Sequence, residues 1–160
     1  MTLSIRPAGP PDLSLVAELI RALAEYEKLS HEVRFRAADL ARHLFGERPV
    51  AEALIGEIDG TPQGFALFFT TFSTFEGRPG IWLEDLFVRP DARGHGLGKA
   101  LISAVGEIAV ERGCARFEWS VLDWNAPSIA FYRGLGARPM EEWTIMRMEG
   151  DALAALGAQK

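Results

Sequence analysis

The chain is poor in the residues that cross-link or hold metals. It contains one cysteine, Cys114, and three histidines, His31, His43 and His95, standing far apart in sequence. A lone cysteine excludes an intrachain disulfide, and histidines without ligand spacing give no sign of a metal site. Long apolar runs are missing too, since none approaches the roughly 20 residues needed to cross a bilayer. The opening "MTLSIRPAGPPDLSLV" shows no basic stretch followed by a long apolar one, so a cytoplasmic protein free of the membrane is expected. Repeats, low-complexity tracts and Pro/Ser-rich linkers are absent, which leads us to expect one domain over residues 1–160. Positive charge is in short supply, with 17 Lys and Arg against 22 Asp and Glu and a net charge of -5. That balance argues against nucleic acid, which needs clustered cations, and suits a small cationic ligand. What the chain has is 48% hydrophobic residues over 160 positions, enough for a full core.

Periodicity supplies the elements. "TLSIRPA" reads as a strand, and "PPDLSLVAELIRALAEYEKL" as an amphipathic helix with Leu15, Leu19, Ile20 and Leu23 at helical spacing. "RAADLARHLFG" gives a second helix. "AEALIGEI" and "QGFALFFTTF" are strands around the Asp59-Gly60 turn, and "IWLEDLFV" is the next. Helix "KALISAVGEIAVERG", strand "RFEWSVL", a short helix from Pro127 and a last strand "EWTIMRME" complete the chain before an Ala/Leu-rich tail. The order β-α-α-β-β-β-α-β-α-β implies an α/β fold, a mixed, mostly antiparallel sheet flanked by helices. Phe65, Phe68 and Phe69 read as core.

Two stretches carry chemistry. Glu84 and Asp85 stand side by side inside an apolar strand, where a regular pleat sends them to opposite faces. Both can reach one ligand only if a bulge splays them. After this strand comes Arg93-Gly94-His95-Gly96-Leu97-Gly98-Lys99, a strand-to-helix loop stripped of side chains at alternate positions. Backbone N–H groups there, with the helix N-terminus, form an anion site suited to a pyrophosphate. A P-loop would need Gly at Arg93 and Ser or Thr at Ala100, and the dinucleotide fingerprint would need Gly at Lys99. Neither fits.

The remaining pattern, Arg-x-x-Gly-x-Gly after an apolar strand, resembles the acetyl-CoA pyrophosphate loop of the GNAT superfamily of N-acetyltransferases. "DWNAPSIAFYRGLGA" looks like that family's later cofactor segment. "IRPA", "LAEYEKL", "FGERP", "GFALFF", "LEDLFV", "WNAPSIAFY" and "EEW" run collinear with the spermidine/spermine (diamine) and thialysine acetyltransferase branch over nearly the whole chain. The resemblance implies a GNAT-type sheet, acetyl-CoA as cosubstrate with no metal, a small cationic amine as acceptor, and a homodimer to which "DALAALGAQK" would contribute.

It also implies roles for particular residues. Glu84 helps remove the proton of the acceptor amine, Asp85 supports it, and Tyr132 is the general acid for the departing thiolate. Leu86, Phe87 and Val88 pair their backbone with the pantetheine amides like an added strand. Arg93, Gly94, His95, Gly96, Leu97, Gly98 and Lys99 cradle the pyrophosphate, and Asn125, Ala126, Pro127 and Ser128 contact the pantetheine or phosphates. Tyr26, Glu27, Glu84, Glu118, Trp119, Ser120 and Glu142 line the acceptor site. The segment before Trp143 is one residue short of the branch's usual "EEGW", which bears on Glu142. Other readings stay open on the residues alone. Asp85 suits an ion pair with a buried arginine, Tyr132 suits core packing, and the isolated acids suit a solvated surface. Function has rivals too: acetylation of an aminoglycoside or a peptide N-terminus, or a non-catalytic acyl-CoA-binding module.

Overall fold

One glycine-dependent turn shapes the sheet before any helix packs on it. Asp59 and Gly60 both take positive φ, 49° and 78°, the twist that a two-residue hairpin turn needs. That turn joins β2 (Glu52–Ile58) to β3 (Thr61–Ser73) in antiparallel register. β1 (Leu3–Pro7) lies antiparallel against β2, and β4 (Arg78–Val88) antiparallel against β3. The computed structural model describes residues 1–159. The strand order follows the chain, β1-β2-β3-β4-β5. β5 (Arg116–Glu118) returns parallel to β4, because the intervening helix carries the chain back across the sheet.

The chain divides into two compact units, the first Met1–Ser120 and the second beginning at Val121. The first holds the sheet, α1 (Leu13–Tyr26), α2 (Ala37–Phe45) and α3 (Leu97–Glu111). Alternation along β3 divides its side chains between two faces. Phe65 and Leu67 join Val16, Leu19, Leu23, Leu44, Ile55 and Phe87 in a core under α1 and α2. On the opposite face α3 buries Leu97, Leu101, Ile102 and Val105. Its close approach depends on Gly56, where a Cβ would come within 2.9 Å of Leu97 Cδ1. Phe65 and Phe68 are buried as expected, whereas Phe69 is half-buried. The second unit contains α4 (Ala126–Gly134) and α5 (Gly150–Gly157). Lys160, the last residue of the expected dimer tail, lies outside the described residues.

Two expectations need correction. The last strand, "EWTIMRME", does not form; residues 143–149 have no regular structure, and the Ala/Leu-rich tail after them is helical. β5 is three residues long where seven were expected. The physical reason is shared. A strand is stabilised by a neighbouring ladder, and β-forming residue types create none by themselves. β5 finds β4 only as far as Trp82↔Glu118, and residues 143–149 find no ladder.

Candidate active site

The register of β3 and β4 answers how two adjacent acids serve one site. Pairing steps from Leu67↔Asp85 to Phe68↔Leu83, so Glu84 has no partner and β4 bulges there. Leu67 and Phe69 lie on one face of β3, and their partners Asp85 and Trp82 therefore share a face of β4. Glu84 is bound to that same face: the Trp82 indole Nε1–H donates to Glu84 Oε2 at 3.1 Å. The bulge thus turns both carboxylates toward the α1 side of the sheet. Glu118, opposite Trp82 in the parallel ladder, joins them.

A fourth acid arrives from α1, whose last residue, Tyr26, precedes Glu27 at the C-cap. Burial and the Glu84 charge push the Glu27 carboxyl above the ordinary glutamate range. Asp85, half-buried, is raised further, to about 7, first by burial and then by the Glu84 and Glu27 charges. Among the described residues no ion pair joins Asp85 to an arginine, and the charges that shift it are those of Glu84 and Glu27. A cluster of carboxylates favours a cation and resists its own full ionisation.

Beyond the bulge, β4 presents an open edge. Its pairing with β5 ends at Trp82, so along residues 84–88 only the β3 side is laddered. The Leu86–Val88 backbone was expected to offer such an edge. The Val88 carbonyl also accepts Nε–H from Arg93 at 2.9 Å. Next in the chain, Gly94 and Gly96 take φ of 82° and 86°, and a Cβ at Gly94 would enter open space. Side chains at these glycines would fill the cradle that the backbone leaves clear. Gly96 caps α3, whose first N–H groups have no carbonyl one turn back. His95, Gly98 and Lys99 flank them, and Leu97 turns inward as core. Donor backbone, open cradle and unpaired strand edge together fit a pantetheine-pyrophosphate ligand such as acetyl-CoA.

The remaining expected residues are placed as follows. Trp119 follows β5 and meets Phe117 edge-on at 5.0 Å, and Ser120 is exposed. In the second unit, buried Asn125 caps α4, its side chain accepting from Ser128 N–H at 3.4 Å, with Ala126 and Pro127 in the first turn. Tyr132 is half-buried on α4, its ring centroid 5.5 Å from that of Phe131. Glu142 is exposed in a turn. Sequence reasoning missed Trp82, whose indole grips Glu84. Its signal was present: a hydrogen-bonding aromatic two residues before an acid on a strand shares that acid's face.

A model of the acetyltransferase (GNAT) family matches residues 16–137. The chain belongs to that family and is an N-acetyltransferase. It is similar to a thialysine N-epsilon-acetyltransferase of Sus scrofa, 40% identical over 97% of each chain. It is also similar to an L-ornithine N5-acetyltransferase of Arabidopsis thaliana, 30% identical over 95% of this chain and 86% of that one. Among solved structures, an integron cassette protein from the mobile metagenome of V. cholerae superposes with TM-score 0.81 at 26% identity, over 99% of each chain. The expected α/β fold and family are therefore confirmed. Among the described residues, no helix is long and apolar enough to cross a membrane.

Proposed function

We propose that this protein transfers an acetyl group from acetyl-CoA to a primary amine of a small diamine, polyamine or lysine-like amino acid, directly within a ternary complex. The observation that carries the reading is the β4 bulge. It gathers Glu84 and Asp85 on one face with Glu27, beside an open strand edge and a glycine cradle. Relatives named for thialysine and ornithine, both basic amino acids, support the same acceptor class.

An alkylamine with a pKa of about 10.4 is free base only about one part in two thousand at pH 7, so its proton has to be taken. Glu84 is the base. Trp82 holds its Oε2, leaving Oε1 to accept the ammonium proton directly or through water. Asp85 and Glu27 hold the cation against the bulge, with Tyr26, Glu118, Trp119, Ser120 and Glu142 as further acceptor contacts. Bound acetyl-CoA supplies the activated thioester carbonyl. The backbone of residues 86–88 and 93–98, with His95, Lys99 and the segment Asn125–Ser128, holds it, and Tyr132 returns a proton at Oη to the leaving sulfur. Homodimer formation belongs to this proposal, supported by apolar side chains that the second unit leaves exposed, Ile145 and Met146 among them. The single cysteine agrees with a reducing, cytoplasmic setting.

The test is acetylation of thialysine by wild type and Glu84→Gln. Loss of the base should cost about 10²- to 10⁴-fold in kcat, with acetyl-CoA affinity unchanged. A rate within about threefold of wild type would remove Glu84 from this role.

A further inference from the structure

We infer that Arg93, first residue of the glycine loop, is a positioning residue that ties that loop to the acceptor side of the sheet, its side chain serving no phosphate. This rests on the proposed acetyl transfer for its functional meaning and on three contacts for its geometry. The Nε–H group donates to the Val88 carbonyl at 2.9 Å. The guanidinium carbon lies 4.7 Å from the centroid of the Tyr26 ring and 5.5 Å from that of Phe87. One side chain therefore joins the loop, the end of β4 and the last residue of α1.

The chemistry requires arginine. Its planar cation lies against aromatic faces while an in-plane N–H bonds a carbonyl. A lysine ammonium, a point charge on a flexible stem, does not meet both demands at once. To reach a phosphate, the guanidinium would have to abandon two rings and a strand carbonyl. The backbone N–H groups of the loop and of the start of α3 already supply an anion site.

What the tie controls is the acid cluster. Tyr26 is followed by Glu27, whose carboxyl feels the Glu84 charge, and then by Lys28 at φ 61°, where the helix ends. Displacing the Tyr26 ring moves Glu27 away from the bulge. Arg93 thus sets the acceptor carboxylates in register with the loop that grips the cofactor, and its loss is felt at the amine.

Arg93→Lys tests this in the full chain. Amide exchange of the substrate-free protein over residues 24–29 should quicken several-fold while exchange in the β-sheet stays unchanged. The KM for thialysine should rise about tenfold, the scale of a lost cation–π contact and charged hydrogen bond. The acetyl-CoA Kd from calorimetry should change less than about threefold. In a double-mutant cycle, Arg93→Lys and Tyr26→Leu should be non-additive on that KM. Unchanged exchange at 24–29 would overturn the tie even in a protein that acetylated none of these amines, an outcome that would separately sink the functional reading. A tenfold weaker acetyl-CoA affinity with the amine KM intact would overturn it in favour of a phosphate ligand.

Discussion

Asp85 shows how much one side chain reports about this site. In the unfolded chain it ionises near pH 4, whereas in the folded protein burial and two neighbouring acids raise it to about 7. Between those values the unfolded chain has released a proton that the folded protein still holds. Asp85 therefore lowers stability progressively as pH rises through that window, and its penalty is complete above pH 7. Asp85→Asn should raise the melting temperature by several degrees at pH 8 and leave it unchanged near pH 4, as differential scanning calorimetry would show. A uniform shift at both pH values would mean the charge is not what costs. The same ionisation bears on binding. Glu84 and Glu27 face Asp85, so a cation should bind more tightly as pH rises from 6 to 8 and Asp85 becomes an anion. Calorimetric titration with spermidine, cationic throughout, measures this directly.

At the scale of elements, β4 is where regular structure is given up for function. Regular alternation from Trp82 would have kept Glu84 on the α1 face and sent Asp85 to the α3 face; the bulge keeps the two acids together. The hairpin partner must hold that distorted strand in place, and Gly64 shows how closely. A Cβ there would lie 2.5 Å from the Phe87 carbonyl oxygen, a backbone atom unable to swing aside. Gly64→Ala should destabilise by about 1–3 kcal/mol and raise the acetyl-CoA KM, because the displaced backbone is the open edge at residues 86–88. Chemical denaturation read beside that KM checks both halves. Much of this level was legible in the sequence. Apolar spacing in "LVAELIRALAEY" gave α1, and the Asp59-Gly60 dipeptide gave the hairpin. Two adjacent acids in an apolar run gave the condition for a bulge, though not its occurrence, since Glu84 loses its partner only through the register of another strand. The seven-residue β5 and the strand over 142–149 failed for the same cause. Phe, Trp, Val, Ile and Thr show a liking for extended backbone, while the neighbour that makes a strand lies elsewhere in the chain.

For the whole molecule, the motifs were more informative than composition. Net charge argued against nucleic acid and a single cysteine against an intrachain disulfide, but "LEDLFV" and "ARGHGLG" pointed to the family to which the chain belongs. Site roles were legible as residue types and less so as mechanics: spacing put Trp82 and Glu84 on one face of a strand, while the grip of Arg93 on Tyr26 exists only in three dimensions. Tyr132 belongs to the second unit, and its role is separable by chemistry. Tyr132→Phe should leave the acetyl-CoA Kd unchanged and lower kcat about 10²-fold or more, as stopped assays of acetylated thialysine would register. The most direct test of the account is product mass after incubation with acetyl-CoA and a panel of thialysine, lysine, ornithine, putrescine, diaminopropane, spermidine and an aminoglycoside. The account predicts an added acetyl group confined to the diamines, polyamines or basic amino acids. Acetylation of the aminoglycoside alone, or of none of them by a protein that binds acetyl-CoA, would contradict it.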